Sequence, residues 1–117
     1  MKEIGMIPQF DTGSTDHNGA VTLLCPGCGE SYTHQGDVLV VMRKEDADTG
    51  LSVSVSPRPT VVIGTDVQGN PSPRRQGLSV EFVCETCHQV FGLDIYQHKG
   101  QTKVVIKRTG HAFPDSI

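Results

Sequence analysis

A chain of 117 residues is the size of one small domain, and its apolar stock is thin: 36% hydrophobic, 5% aromatic, no Trp. Thirteen Gly and seven Pro work against long helices. No apolar run approaches the length of about 18 residues that a membrane span needs, and no leader pattern opens the chain, so a cytoplasmic protein without a membrane partner is expected. The net charge of −3 excludes a global basic field that would draw in nucleic acid, although residues 51–117 are mildly basic and residues 1–50 strongly acidic.

Residues 1–19 have no periodicity and read as an irregular arm. A short strand at 20–24 delivers Cys25. Residues 37–43, with Val38, Leu39, Val40, Val41 and Met42, suit a strand buried on both faces, a helical turn being the alternative by pattern alone. After a charged turn at 44–50, residues 51–56 alternate strictly, which marks a half-buried strand and suggests a hairpin. Pro57 and Pro59 end regular pairing, and 60–63 is another short β-branched run. The longest loop spans 64–77, with Arg74 and Arg75 near its exit; its length marks it as mobile or functional.

Residues 78–83 alternate again and run into Cys84. Phe91, Leu93 and Ile95 share one face of the next strand, Asp94 and Tyr96 the other. Residues 98–101 form a hairpin tip, and Val104 and Ile106 continue the last strand with Lys103 and Lys107 opposite. The pattern predicts a single mainly β domain over 20–108, between the arm at 1–19 and a tail at 109–117.

The informative residues are Cys25-Pro26-Gly27-Cys28-Gly29 and Cys84-Glu85-Thr86-Cys87-His88. A CxxC turn aims two sulfurs at one ion while backbone N–H groups favour the thiolate, the species that ligates. Two such knuckles supply four soft ligands, which matches one tetrahedral structural zinc; iron also suits four thiolates. Without a secretory leader the pattern favours metal over disulfides, and a thioredoxin-like redox pair would have to open a helix, which neither motif does. Residues 29–83 separate the knuckles, against about 15–20 residues in compact ribbons. Tripling the loop costs roughly 1 kcal/mol, whereas structural zinc supplies on the order of 10 kcal/mol. The metal therefore wins, and the strand-patterned intervening segment reads as an antiparallel β-hairpin or sheet inserted into a zinc ribbon.

His88 follows Cys87 directly, but four Cys already fill the shell, so His88 is expected just outside it and His34 as a hydrogen-bonding neighbour. His98 is expected on the surface of its tip; His17 and His111 carry no signal. Four Cys leave a zinc no open position, and no HExxH, GxSxG, P-loop or deaminase signature is present, so no enzyme activity is expected.

The string Arg74-Arg75-Gln76-Gly77-Leu78 through Cys87, followed by Gln97-His98-Lys99-Gly100, resembles small zinc-ribbon proteins of bacteriophages and bacterial mobile elements, over about residues 24–106. The resemblance implies a zinc-ribbon fold and a mobile-element setting, hence a regulator or anti-defence protein; it brings no established activity.

Two functions remain open at this stage. One is a non-catalytic structural-zinc module that docks on a host or phage protein, with the turn at 45–48 and the loop at 64–77 as contact regions. The other is nucleic-acid binding through Arg74, Arg75, Tyr96, Lys99, Lys103 and Lys107, a tyrosine among cations being suited to stacking and phosphate contact; Glu81 and Asp94 on the same face oppose it.

Overall fold

A computed structural model describes residues 4–13 and 16–108, all of whose regular elements are strands. They are β1 (Ile4–Met6), β2 (Phe10–Asp11), β3 (Thr22–Leu23), β4 (Thr33–Met42), β5 (Thr49–Ser56), β6 (Thr60–Asp66), β7 (Gly77–Cys84), β8 (Val90–His98) and β9 (Gln101–Arg108). Seven make one antiparallel sheet in the order β1-β9-β8-β7-β4-β5-β6, while β2 and β3 pair separately. The antiparallel strands expected between the knuckles are present, and β4, β5 and β6 extend the sheet of β7, β8 and β9. No described helix is long and apolar enough to cross a membrane.

The alternating segments become strands because one face of each is apolar, and the register aligns those faces across the sheet. Val104, Ile95, Leu78, Val40, Val53 and Ile63 are successive cross-strand partners from β9 to β6. A second row runs Met6, Ile106, Leu93, Val80, Val38, Val55, Val61 through all seven strands. Nearer the knuckles Phe82 and Phe91 are partners, and their rings stack with centroids 5.5 Å apart. Here the core forms, from Cys25, Phe82, Cys84, Phe91 and Ile106, with Met6, Leu23, Val80 and Leu93 packed against it. The β2–β3 pair covers only this end of the apolar face.

The opposite face is covered elsewhere, by residues 67–76. Ser72 is buried, and its hydroxyl donates to the Gln97 carbonyl at 2.8 Å while accepting from the backbone of Arg74 and Arg75. The Asn70 amide donates to the Arg75 carbonyl at 2.7 Å, and the Arg43 guanidinium ties Ala47, Ser72 and Arg75 together. Gly77 is obligatory under this loop, since a Cβ there would come within 2.7 Å of the Pro71 ring. Of the two readings of the long loop, mobile or functional, these bonds oppose the first: residues 67–76 are tied down over the sheet, and Val41 is wholly buried.

Three expectations need correction. The arm at 1–19 contains β1 and β2, both held by pairing. The first knuckle is reached through Thr22–Leu23 only, shorter than the expected strand at 20–24. The run in β4 is not buried on both faces: Val41 is inside, but Met42 is 48% exposed. The tail expected at 109–117 lies outside the described residues.

Candidate metal centre

The two knuckles meet because their flanking strands are neighbours. β4 leaves the first knuckle and β7 enters the second; they pair antiparallel with Thr33 opposite Cys84. The Glu85 N–H donates to the Tyr32 carbonyl at 2.9 Å, fastening one knuckle to the exit of the other. On the far side, the Leu24 N–H donates to the Gln9 carbonyl and anchors the approach to Cys25.

The knuckles are built alike. In the first, the Gly29 N–H donates to the Cys25 carbonyl at 2.9 Å and the Cys25 N–H to the Glu30 carbonyl at 2.9 Å. In the second, the His88 N–H donates to the Cys84 carbonyl at 2.9 Å and the Cys84 N–H to the Gln89 carbonyl at 3.0 Å. Gly29 and His88 hold the same turn position with φ of 78° and 62°, the left-handed region. The Gly27 N–H points at the Cys25 sulfur (3.4 Å) and the Cys87 N–H at the Cys84 sulfur (3.5 Å).

All four Sγ atoms lie within 4.8 Å of one another. Across the knuckles, Cys25 and Cys87 sulfurs are 3.7 Å apart and Cys28 and Cys84 sulfurs 3.5 Å. A tetrahedron with metal–sulfur bonds of about 2.3 Å has edges of about 3.8 Å, so the four sulfurs fit around one ion; a disulfide would need about 2.05 Å. Cys25 and Cys84 form the buried inner wall, Cys28 and Cys87 the exposed outer one.

The thiols are electrostatically unequal. Burial would raise Cys84, but the N–H groups of Cys87 and Thr86 and the neighbouring Cys28 and Cys25 thiols bring it down to about 7. Burial raises Cys25, with Cys87 and Cys84 adding to it against the N–H groups of Cys28 and Gly27. At Cys28 the Glu30 N–H favours the thiolate, but desolvation and the three other sulfurs outweigh it and push the thiol up to about 12. Crowding sulfur around one point is costly for thiolates alone, and a divalent cation removes that cost.

Sequence reasoning missed Gln89. Its Oε1 is buried without a partner, and its carboxamide fills the space where a side chain on Gly27 would project, 3.1 Å from its Cδ. No pattern in the sequence signals this role. His34 sits 3.4 Å from the Glu85 carboxylate, beside the second knuckle. Among the described residues the ligand cluster consists of the four Cys and excludes His88, whose backbone shapes the turn instead.

The nucleic-acid candidates divide into two groups. Arg74, Arg75 and Lys99 line one cleft of about 270 Å³ together with Glu45 and His98. Both arginines are engaged there: Arg74 bonds Asp46 at 2.8 and 3.0 Å and Glu45 at 3.2 Å, and Arg75 reaches Glu45 at 3.4 Å. The Arg74 bond holds the Asp46 carboxyl below its usual range. His98, expected on the surface, is half-buried with an unpartnered Nδ1. Tyr96 and Lys103 are cross-strand partners, and Lys107 lies on the same face 3.4 Å from Asp94. Asp94 and Glu81 share that face, as their register requires.

Comparison with protein-family models, with curated proteins and with solved structures finds no match to this chain.

Proposed function

We propose that the chain is a non-catalytic structural-zinc module of zinc-ribbon type, a rigid β platform of phage or mobile-element origin that docks on a host protein as a regulator or anti-defence factor. The observation that carries the metal part is the meeting of four sulfurs at tetrahedral spacing. Four protein ligands fill the shell, which leaves no coordination position for a substrate or an activated water. The pinned loop at 67–76 and the Glu45–Asp46 turn tied to Arg74 form a preorganised surface that a partner meets without ordering cost.

Elemental analysis of protein purified under reducing conditions tests the metal: one zinc per chain is expected, lost in Cys84→Ser. Substoichiometric metal of every kind rejects the proposal. Retention of one specific host protein by the metal-loaded chain, abolished after chelation, tests the docking part. The nucleic-acid alternative predicts binding that weakens steeply with salt; the pairing of Arg74 and Arg75 with Glu45 and Asp46 in their cleft opposes it.

A further inference from the structure

The apolar face described above is only half covered. Beyond the core beneath the knuckles, Met42, Leu51, Val55, Val61, Ile63 and Val104 are between 42% and 69% exposed. All six lie on one face of the sheet, because each belongs to a cross-strand row with Val40 or Val38 or, for Met42 and Leu51, pairs beside them. The rows contain no charged residue. These six side chains alone leave roughly 500 Å² of contiguous apolar surface in water, at the upper end of what a soluble monomer carries.

We infer that this face is the interface of a homodimer, in which two copies pack sheet on sheet about a two-fold axis. The area agrees: with the half-buried Val40, Val53, Leu78 and Ile95 added, the patch approaches the roughly 800 Å² per partner of a standard stable interface. The face also brings no like charges into contact, since the cross-strand rows that form it hold no charged residue. The shape is self-complementary, since two twisted sheets with apolar alternate positions stack about 10 Å apart as a sandwich. A shallow concavity of about 290 Å³ lies here, lined by Val40, Met42, Leu78 and Ile95 together with Gln76, Gly77, Tyr96 and Gln97. The inference rests on strand register and does not depend on which ion the knuckles hold.

Sedimentation equilibrium of the metal-loaded chain tests it, with a particle of twice 12.6 kDa expected. Val61→Lys combined with Ile63→Lys places two charges on the face at positions already 58% and 69% exposed. That variant is expected to be monomeric, with dimer affinity weakened at least ~100-fold and metal content unchanged. Val62→Lys, on the opposite face of the same strand, is expected to leave the dimer intact. A monomeric wild type overturns the inference; so does a dimer that survives the double variant, or one that Val62→Lys dissolves, which would indicate edge pairing of β6 instead. Should the double variant lose its metal and fold, isotope-filtered NOEs on a mixture of labelled and unlabelled wild type decide. Intermolecular contacts among the methyls of Val53, Val55 and Ile63 support the inference. Contacts from these methyls to Phe113 or Ile117 of the same chain, or none at all, refute it.

Discussion

Lowering the pH by one unit, from 7 to 6, is expected to weaken metal binding by at least 100-fold. Every ligand must bind as thiolate, so each sulfur that is protonated in the free protein gives up a proton on ligation, and the affinity falls tenfold per pH unit for each proton released. Burial raises Cys25, and crowding by its neighbours pushes Cys28 up to about 12. Both are protonated at pH 7, which already gives two protons and the 100-fold factor. Cys84, brought down to about 7 by the N–H groups of Cys87 and Thr86 and by its neighbour thiols against the effect of burial, is half ionised there and reprotonates below, steepening the dependence. Competition against a chromophoric chelator at the two pH values, with proton release measured in weak buffer, gives the slope. A change of less than about tenfold, one proton or fewer, would mean that these sulfurs are not the ligand set.

The remaining predictions concern the sheet and the knuckles. Burial, with Asp37 and Asp94 adding to it, pushes the Glu81 carboxyl up to about 7 from an ordinary 4.5. The folded state therefore holds this proton more tightly than the unfolded one, so stability is highest below pH 4.5, falls from there to 7 and is level above. The full shift corresponds to about 3 kcal/mol, halved to about 1–2 kcal/mol because Glu81 is partly exposed; Glu81→Gln should stabilise by that amount at pH 8 and by almost nothing at pH 4.5, as read by paired denaturant titrations. Gly29→Ala should cost about 1–2 kcal/mol through its positive φ alone, there being open space around the added carbon. His88→Gly should be neutral or slightly stabilising and keep one metal per chain; loss of the metal would make His88 a ligand after all.

Where the sequence was legible, the reason was a periodicity or a spacing with one physical meaning. The alternation in 51–56, 78–83, 91–96 and 103–107 marks strands, and β5, β7, β8 and β9 follow it. The paired CxxC motifs could be read as one site at any separation, because the intervening length matters only logarithmically. Elements created by partners were not legible. Ile4–Met6 and Phe10–Asp11 are too short to carry a pattern and exist through β9 and β3. Thr33-His34-Gln35-Gly36 is polar and carries no strand pattern, yet it opens β4 because β7 offers a ladder from Phe82 to Cys84; the register then shifts between Gln35 and Val38. A hairpin tip reads as surface, and nothing local to His98 in the sequence shows that residues 67–76 fold back towards it. Nor could Gln89 be found, since its role depends on the absence of a side chain at Gly27, in the other knuckle.

The thin core connects the metal centre with the open face. Among the described residues eight apolar side chains are buried, and two of them, Cys25 and Cys84, are candidate ligands. The inner wall of the centre is thus part of the hydrophobic core, packed with Phe82, Phe91 and Ile106. An ion held there secures the one region where the sheet is covered by the chain's own β2–β3 pair. At the other end the same apolar rows continue past Val80 and Leu78 to Val61 and Ile63, which are 58% and 69% exposed. One end of the sheet is closed by the four-cysteine centre, and the other presents the uncharged apolar face on which the proposed dimer rests. The metal fixes the sheet that presents this face, so a ligand substitution such as Cys84→Ser acts on the interface through the fold, whereas Val61→Lys with Ile63→Lys acts on it directly. That difference separates the two roles by experiment.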